Sequence, residues 1–212
     1  MQLNIPALRT FVFTCDKTAF RQPKIKKHLT NLNFTNWEFL QGEVGPEPYW
    51  EYVKRDFYKV LDTTPCPFMI LEDDIKFLPK NYSDTIEFPD DADILYLGGG
   101  PKGYGHGKHV SLIGKDIRQW ETATIININN QDWVRVISMI YTHAVIFFSE
   151  DCKDDFKRAI NWNYMHPLDI SQSKIQYRWN CLLRRRPFWW QDDKHRNHFH
   201  TKFDLTMLPP AV

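Results

Sequence analysis

The run Phe68-Met69-Ile70-Leu71, closed at once by Glu72-Asp73-Asp74, constrains this chain more than any other stretch. Four apolar residues without alternation read as a strand covered on both faces, as at the centre of an α/β sheet. Three carboxylates at its end repel one another and lose hydration, which is costly without a counter-charge. A divalent cation supplies that charge. Oxygen donors select Mg²⁺ or Mn²⁺, and a site with one or two carboxylates completes its shell with substrate phosphates. The acidic tip therefore predicts a metal–diphosphate site. A solvated turn after a strand is the plainer alternative, and the apolar run ahead of it weighs against that.

The surrounding pattern alternates strand and helix. Residues 10–14 read as a strand followed by the polar turn Cys15-Asp16-Lys17, and residues 24–32 as a short basic helix. Residues 37–41 read as a second strand, and residues 42–48, with two Gly and two Pro, as a loop. From 49 to 61, Trp50, Val53, Phe57, Val60 and Leu61 recur at helical spacing as one apolar stripe. Further strands are predicted over 93–97 and 141–148, a helix from Ser149 onward, and another over 171–183. Such alternation predicts parallel βαβ units, hence an α/β fold with a mostly parallel central sheet flanked by helices.

At 212 residues the chain is read as one domain, with a nucleotide-binding half over about 1–100 and an acceptor half with a C-terminal tail over about 101–212. Its 27 Lys and Arg balance 26 Asp and Glu, which excludes the overall basic field of a general nucleic-acid binder. The four cysteines form no CxxC pair, and neither a signal peptide nor a membrane-length apolar run is present. A reduced, cytoplasmic, monomeric protein without a transmembrane segment is expected.

Several residues could carry chemistry. His198 and His200, two apart in the tail, share a face if extended and could add ligands to Glu72 and Asp74; an exposed polar tail is the alternative. Asp169, with Gln172 three positions on, fits a helix cap, or else a general base that deprotonates an acceptor hydroxyl. Arg21 and Lys54 could meet a phosphate or could be solvated surface charges. The run Gly98-Gly99-Gly100 lacks the following helix of a dinucleotide fingerprint. Gly98 and Gly99 could still let backbone approach a sugar or diphosphate, or form a plain connection.

The stretch ILEDDIKFLP (70–79) resembles the acidic motif of GT-A fold glycosyltransferases, above all its EDD form in the lipopolysaccharide/collagen-type galactosyl- and glucosyltransferase family. FVFTCDK (11–17) is similar to that family's first strand, YTHAVIFFS (141–149) to a later strand with His143 at a variable position, and HPLDI (166–170) to the segment after it. Together these cover most of residues 10–170 in the family's order. More narrowly, the chain looks like the small N-terminal glycosyltransferase domains of chlorella-virus enzymes that decorate a capsid glycoprotein.

The resemblance implies a UDP-sugar donor such as UDP-glucose, a glycan or glycoprotein acceptor, and Mn²⁺ or Mg²⁺. It implies Asp74 as direct metal ligand, Glu72 in support, Asp73 near the ribose or donor sugar, and Thr14 and Asp16 near uridine with Arg21 close by. It also favours Asp169 as base over cap, and an inverting transfer. The chain departs from the family in the longer Asp16-to-Arg21 segment and in Gly45-Pro46-Glu47-Pro48-Tyr49 at a helix start, which bears on the acceptor. Two other classes fit parts of the pattern: a metal-dependent phosphohydrolase or nuclease, and a non-catalytic glycan-binding module using the Trp-rich surface.

Overall fold

The computed structural model describes residues 1–42, 49–98, 110–112, 115–117, 123–125, 132–136, 139, 143–162 and 168–191. The first half carries β1 (Gln2–Asn4), β2 (Arg9–Cys15), α1 (Gln22–Asn31), β3 (Trp37–Gly42), α2 (Tyr49–Thr63), β4 (Phe68–Glu72), β5 (Ile75–Phe77), β6 (Thr85–Glu87) and β7 (Ile94–Gly98). Short strands follow: β8 (Val110–Leu112), β9 (Lys115–Ile117), β10 (Ala123–Ile125) and β11 (Trp133–Val136). Then come β12 (Ala144–Phe147), α3 (Glu150–Trp162), α4 (Leu168–Ser173), β13 (Cys181–Arg184) and β14 (Trp189–Gln191).

One sheet crosses the molecule in the order β10-β11-β13-β7-β12-β4-β2-β3, with β14 and β5 joined to its β7 side. The expectation of α/β architecture holds, but the sheet is mixed rather than mostly parallel. β3, β2, β4, β7 and β13 share one direction, while β12 runs against both neighbours between β4 and β7. All four residues of β12 are buried, as are the first four of β4, because helices and loops cover both faces there.

Alternation along β4 divides its apolar run between two cores. Phe68 and Ile70 share one core with Phe57 and Leu61 of α2 and Phe156 of α3; Met69 and Leu71 share the other with Ile25 and Leu29 of α1. Phe68 stacks on Phe147 at 5.4 Å between ring centroids, and Phe156 meets Phe147 edge-on at 5.5 Å.

The helix predicted over 171–183 is corrected. Helix α4 ends at Ser173, one 3-10 turn covers Gln176–Arg178, and Cys181–Arg184 is a strand between β7 and β11. Cys181, Leu182 and Leu183 are fully buried there, so pairing on both sides outweighs local helix preference. Among the described residues, no helix is long and apolar enough to cross a membrane.

Candidate metal and nucleotide site

Chain order around β2 creates the site. From β2 the chain crosses by α1 to β3 on one side, then by α2 to β4 on the other. Where consecutive crossovers leave a strand in opposite directions, a crevice opens at the carboxyl ends of the strands. Cys15 ends β2 at this edge and Glu72 ends β4, with Asp73 and Asp74 forming the turn into β5. Because β12 runs the other way, its first residues enter at the same edge. That brings His143 to the acidic turn.

The three carboxylates have different surroundings. Asp73 is buried, with its Oδ1 accepting from Arg21 Nη1 at 2.8 Å and its Oδ2 accepting from the Thr18 hydroxyl. Thr18 and Arg21 belong to a 3-10 helix over Asp16–Arg21, where side chains three apart eclipse, so both fall on one row facing Asp73. Asp16 lies on another row and accepts from Gln41 Nε2, while Gln22 donates to Gln41 Oε1 at 2.8 Å. This short helix thus bridges the tips of β3 and β4 across the end of β2.

Glu72 and Asp74 face His143 instead. The Glu72 carboxylate lies 2.7 Å from His143 Nδ1, and the Glu72 amide donates to the His143 carbonyl at 3.0 Å. Candidate ligand atoms of Glu72, Asp74 and His143 all lie within 4.8 Å of one another. Loss of hydration pushes the Glu72 carboxyl above its usual range; His143 opposes this, and the charges of Asp74 and Asp169 add to it. Yet 42% of the Glu72 side chain remains accessible, so water or an ion reaches it and softens that shift. The charge of Asp169, in the first turn of α4, is thereby felt at the acidic turn.

The other expected residues divide. Thr14 is buried with its hydroxyl 3.5 Å from that of Thr18, behind the row that holds Asp73. Lys54 is buried on the sheet-facing side of α2, one turn from Phe57, and loss of hydration lowers its pKa while Glu51 opposes that. It is therefore not the solvated surface lysine that was the alternative.

Gly98 ends β7, and a Cβ there would lie 2.8 Å from the Trp189 carbonyl and 3.2 Å from the Ala144 Cβ. Its missing side chain makes room for β14 and β12. Asp169 lies in the first turn of α4. Gly99, His198 and His200 lie outside the described residues; Gln191, the last one described, pairs with Ile75 beside Asp74.

His143 is the residue that sequence reasoning passed over as a ligand. Its signal was a histidine immediately ahead of a fully buried strand, with nothing local to connect it to Glu72.

No protein-family model matches the chain, and no curated protein matches its sequence. Solved structures with a loosely similar course include the nucleoside-diphosphate-sugar pyrophosphorylase from Vibrio cholerae RC9, with TM-score 0.39, 10% identity, and 82% of this chain and 71% of that chain covered. Another is A197 from STIV, with TM-score 0.44, 12% identity, and 92% of this chain and 100% of that chain covered.

Proposed function

We propose that the protein is a metal-dependent glycosyltransferase of GT-A type, moving a sugar from a nucleoside-diphosphate donor, UDP-linked by the family resemblance, to a hydroxyl of a glycan or glycoprotein. The observation that carries this reading is the convergence of Glu72, Asp74 and His143 at the carboxyl ends of the parallel strands.

Two carboxylates and an imidazole suit a divalent cation, and the nitrogen donor favours Mn²⁺ over Mg²⁺, which prefers oxygen and water. Asp74 and Glu72 would hold it, and His143 either joins them or fixes the Glu72 carboxylate through its hydrogen bond. A cation there offsets the charge that develops on the departing diphosphate.

Asp169 takes the proton of the acceptor hydroxyl. The acceptor oxygen then forms its bond to the anomeric carbon as the bond from that carbon to the diphosphate breaks, with inversion. Asp73 positions rather than reacts, since Arg21 and Thr18 occupy its two oxygens.

Calorimetric titration with UDP, with and without Mn²⁺, tests this. The expected result is Mn²⁺-dependent UDP binding that Asp74→Ala abolishes. Absence of any UDP signal would leave a glycan-binding module, and release of phosphate without an acceptor a phosphohydrolase.

A further inference from the structure

From Lys17 to Trp37 the sequence holds Lys17, Arg21, Lys24, Lys26 and Lys27 and neither Asp nor Glu, in a chain whose charges otherwise nearly balance. Most of that stretch is helical without a break. Arg21 and Gln22 both keep right-handed helical angles, so the 3-10 helix over Asp16–Arg21 runs into α1 with no turn between them. Steps of about 120° per residue in 3-10 turns and about 100° in an α-helix then decide which side chains share a side. Ile25 and Leu29 are buried in the core beneath α1. On the far side from them Lys17, Phe20 and Lys27 fall on one line, with Lys24 and Lys26 flanking it, and each of these is exposed.

The neighbouring acids are engaged elsewhere: Asp73 by Arg21, Asp16 by Gln41, and Glu38 by Arg9. Among the described residues, no ion pair engages Lys17, Lys26 or Lys27. The field reaches His28, whose pKa is lowered by loss of hydration first and by the charges of Lys24 and Lys27 next. Phe20 stands in this field 64% accessible, the most exposed large apolar side chain among the described residues. A lone exposed phenyl needs no explanation, but one set in a row of lysines does. A partner that satisfies both is anionic at its surface and apolar just beneath. The convex outside of a helix also lacks the groove that tracks a single nucleic-acid strand.

We propose that this face of the 3-10 helix and α1 docks on an anionic lipid bilayer, its lysines at headgroup level and Phe20 at the boundary with the acyl chains. The contact is peripheral, because α1 keeps its apolar side in the core and a single ring enters the lipid. Each lysine near such a surface strengthens binding about fivefold, so attachment is reversible and weakened by salt. Thr18 and Arg21 of the same 3-10 helix hold Asp73, so docking brings the sheet edge that carries the acidic turn to the membrane. Attachment does not depend on which substrate that edge takes.

Co-sedimentation with vesicles tests this, using phosphatidylcholine alone or mixed with phosphatidylserine. Wild type is expected to bind the mixed vesicles at low salt, to be released by high salt, and to leave phosphatidylcholine vesicles unbound. Lys17→Ala, Lys26→Ala and Lys27→Ala combined lower the partition coefficient about a hundredfold. Phe20→Ala lowers it about tenfold, and Phe20→Trp restores it. Thermal melts of these variants match wild type, since the substituted side chains face outward. The inference is overturned if wild type binds both vesicle types alike or neither, or if the triple variant binds mixed vesicles as tightly as wild type. It is overturned too if Phe20→Ala binds unchanged. Binding of polyglutamate or a single-stranded oligonucleotide with the same dependence on Phe20 would replace the bilayer by a macromolecular polyanion, and equally overturns it.

Discussion

Asp73 and Glu72 are adjacent in sequence and opposite in electrostatic role. Asp73 forms a mostly buried ion pair with Arg21, whose side chain is 17% accessible. Removing one member of such a pair strands the other, whereas removing both together costs far less. Arg21→Met is therefore expected to lower unfolding free energy by about 2–3 kcal/mol in urea titration. The double variant Arg21→Met with Asp73→Leu should recover most of that loss.

Glu72 behaves differently because loss of hydration holds its carboxyl above the usual range, against the opposing pull of His143 and with Asp74 and Asp169 adding to it. A raised carboxyl binds its proton more tightly folded than unfolded. Its share of stability is thus present in acid and is lost as pH rises from the ordinary carboxylate range through the raised value. Glu72→Gln is expected to stabilise the metal-free protein at neutral pH, to flatten that dependence in thermal melts across the window, and to weaken Mn²⁺ uptake. Stability and cation binding oppose each other at this side chain.

Among the elements, β4 and β13 most separate what could be read from residues from what could not. The stripe of α2 and the unbroken apolar runs of β4, β7 and β12 mark elements whose local pattern and tertiary surroundings agree, so their positions follow from spacing. The acidic turn was readable for the same reason, being contiguous. Cys181–Arg184 was not, because a short apolar run takes its state from the strands beside it, here β7 and β11. Nor was the sharing of Glu72 with His143, since 71 positions separate them and no period links the two.

Gly98 shows how one element depends on another. A methyl at that position meets the Trp189 carbonyl at 2.8 Å, and the backbone of β14 has to move. Gly98→Ala is expected to cost about 1–3 kcal/mol and to change tryptophan fluorescence, as β14 is displaced from β5 and hence from the end of the acidic turn.

Across the whole molecule, a single sheet carries two cores, and residues from both halves of the chain interleave within it. Strand β12, from the second half, is inserted between β4 and β7 of the first. The candidate ligands fall on either side of that insertion: Glu72 and Asp74 from one half, His143 from the other. An ion held by all three would act as a clasp across the β4–β12 ladder, favouring the state in which the late-arriving strand is seated. Amide hydrogen exchange at Ile70, Leu71, Val145 and Ile146 should accordingly slow with added Mn²⁺ and quicken with a chelator, while amides of α1 change little. A protein built this way would link loading of its cation to closure of its own central seam.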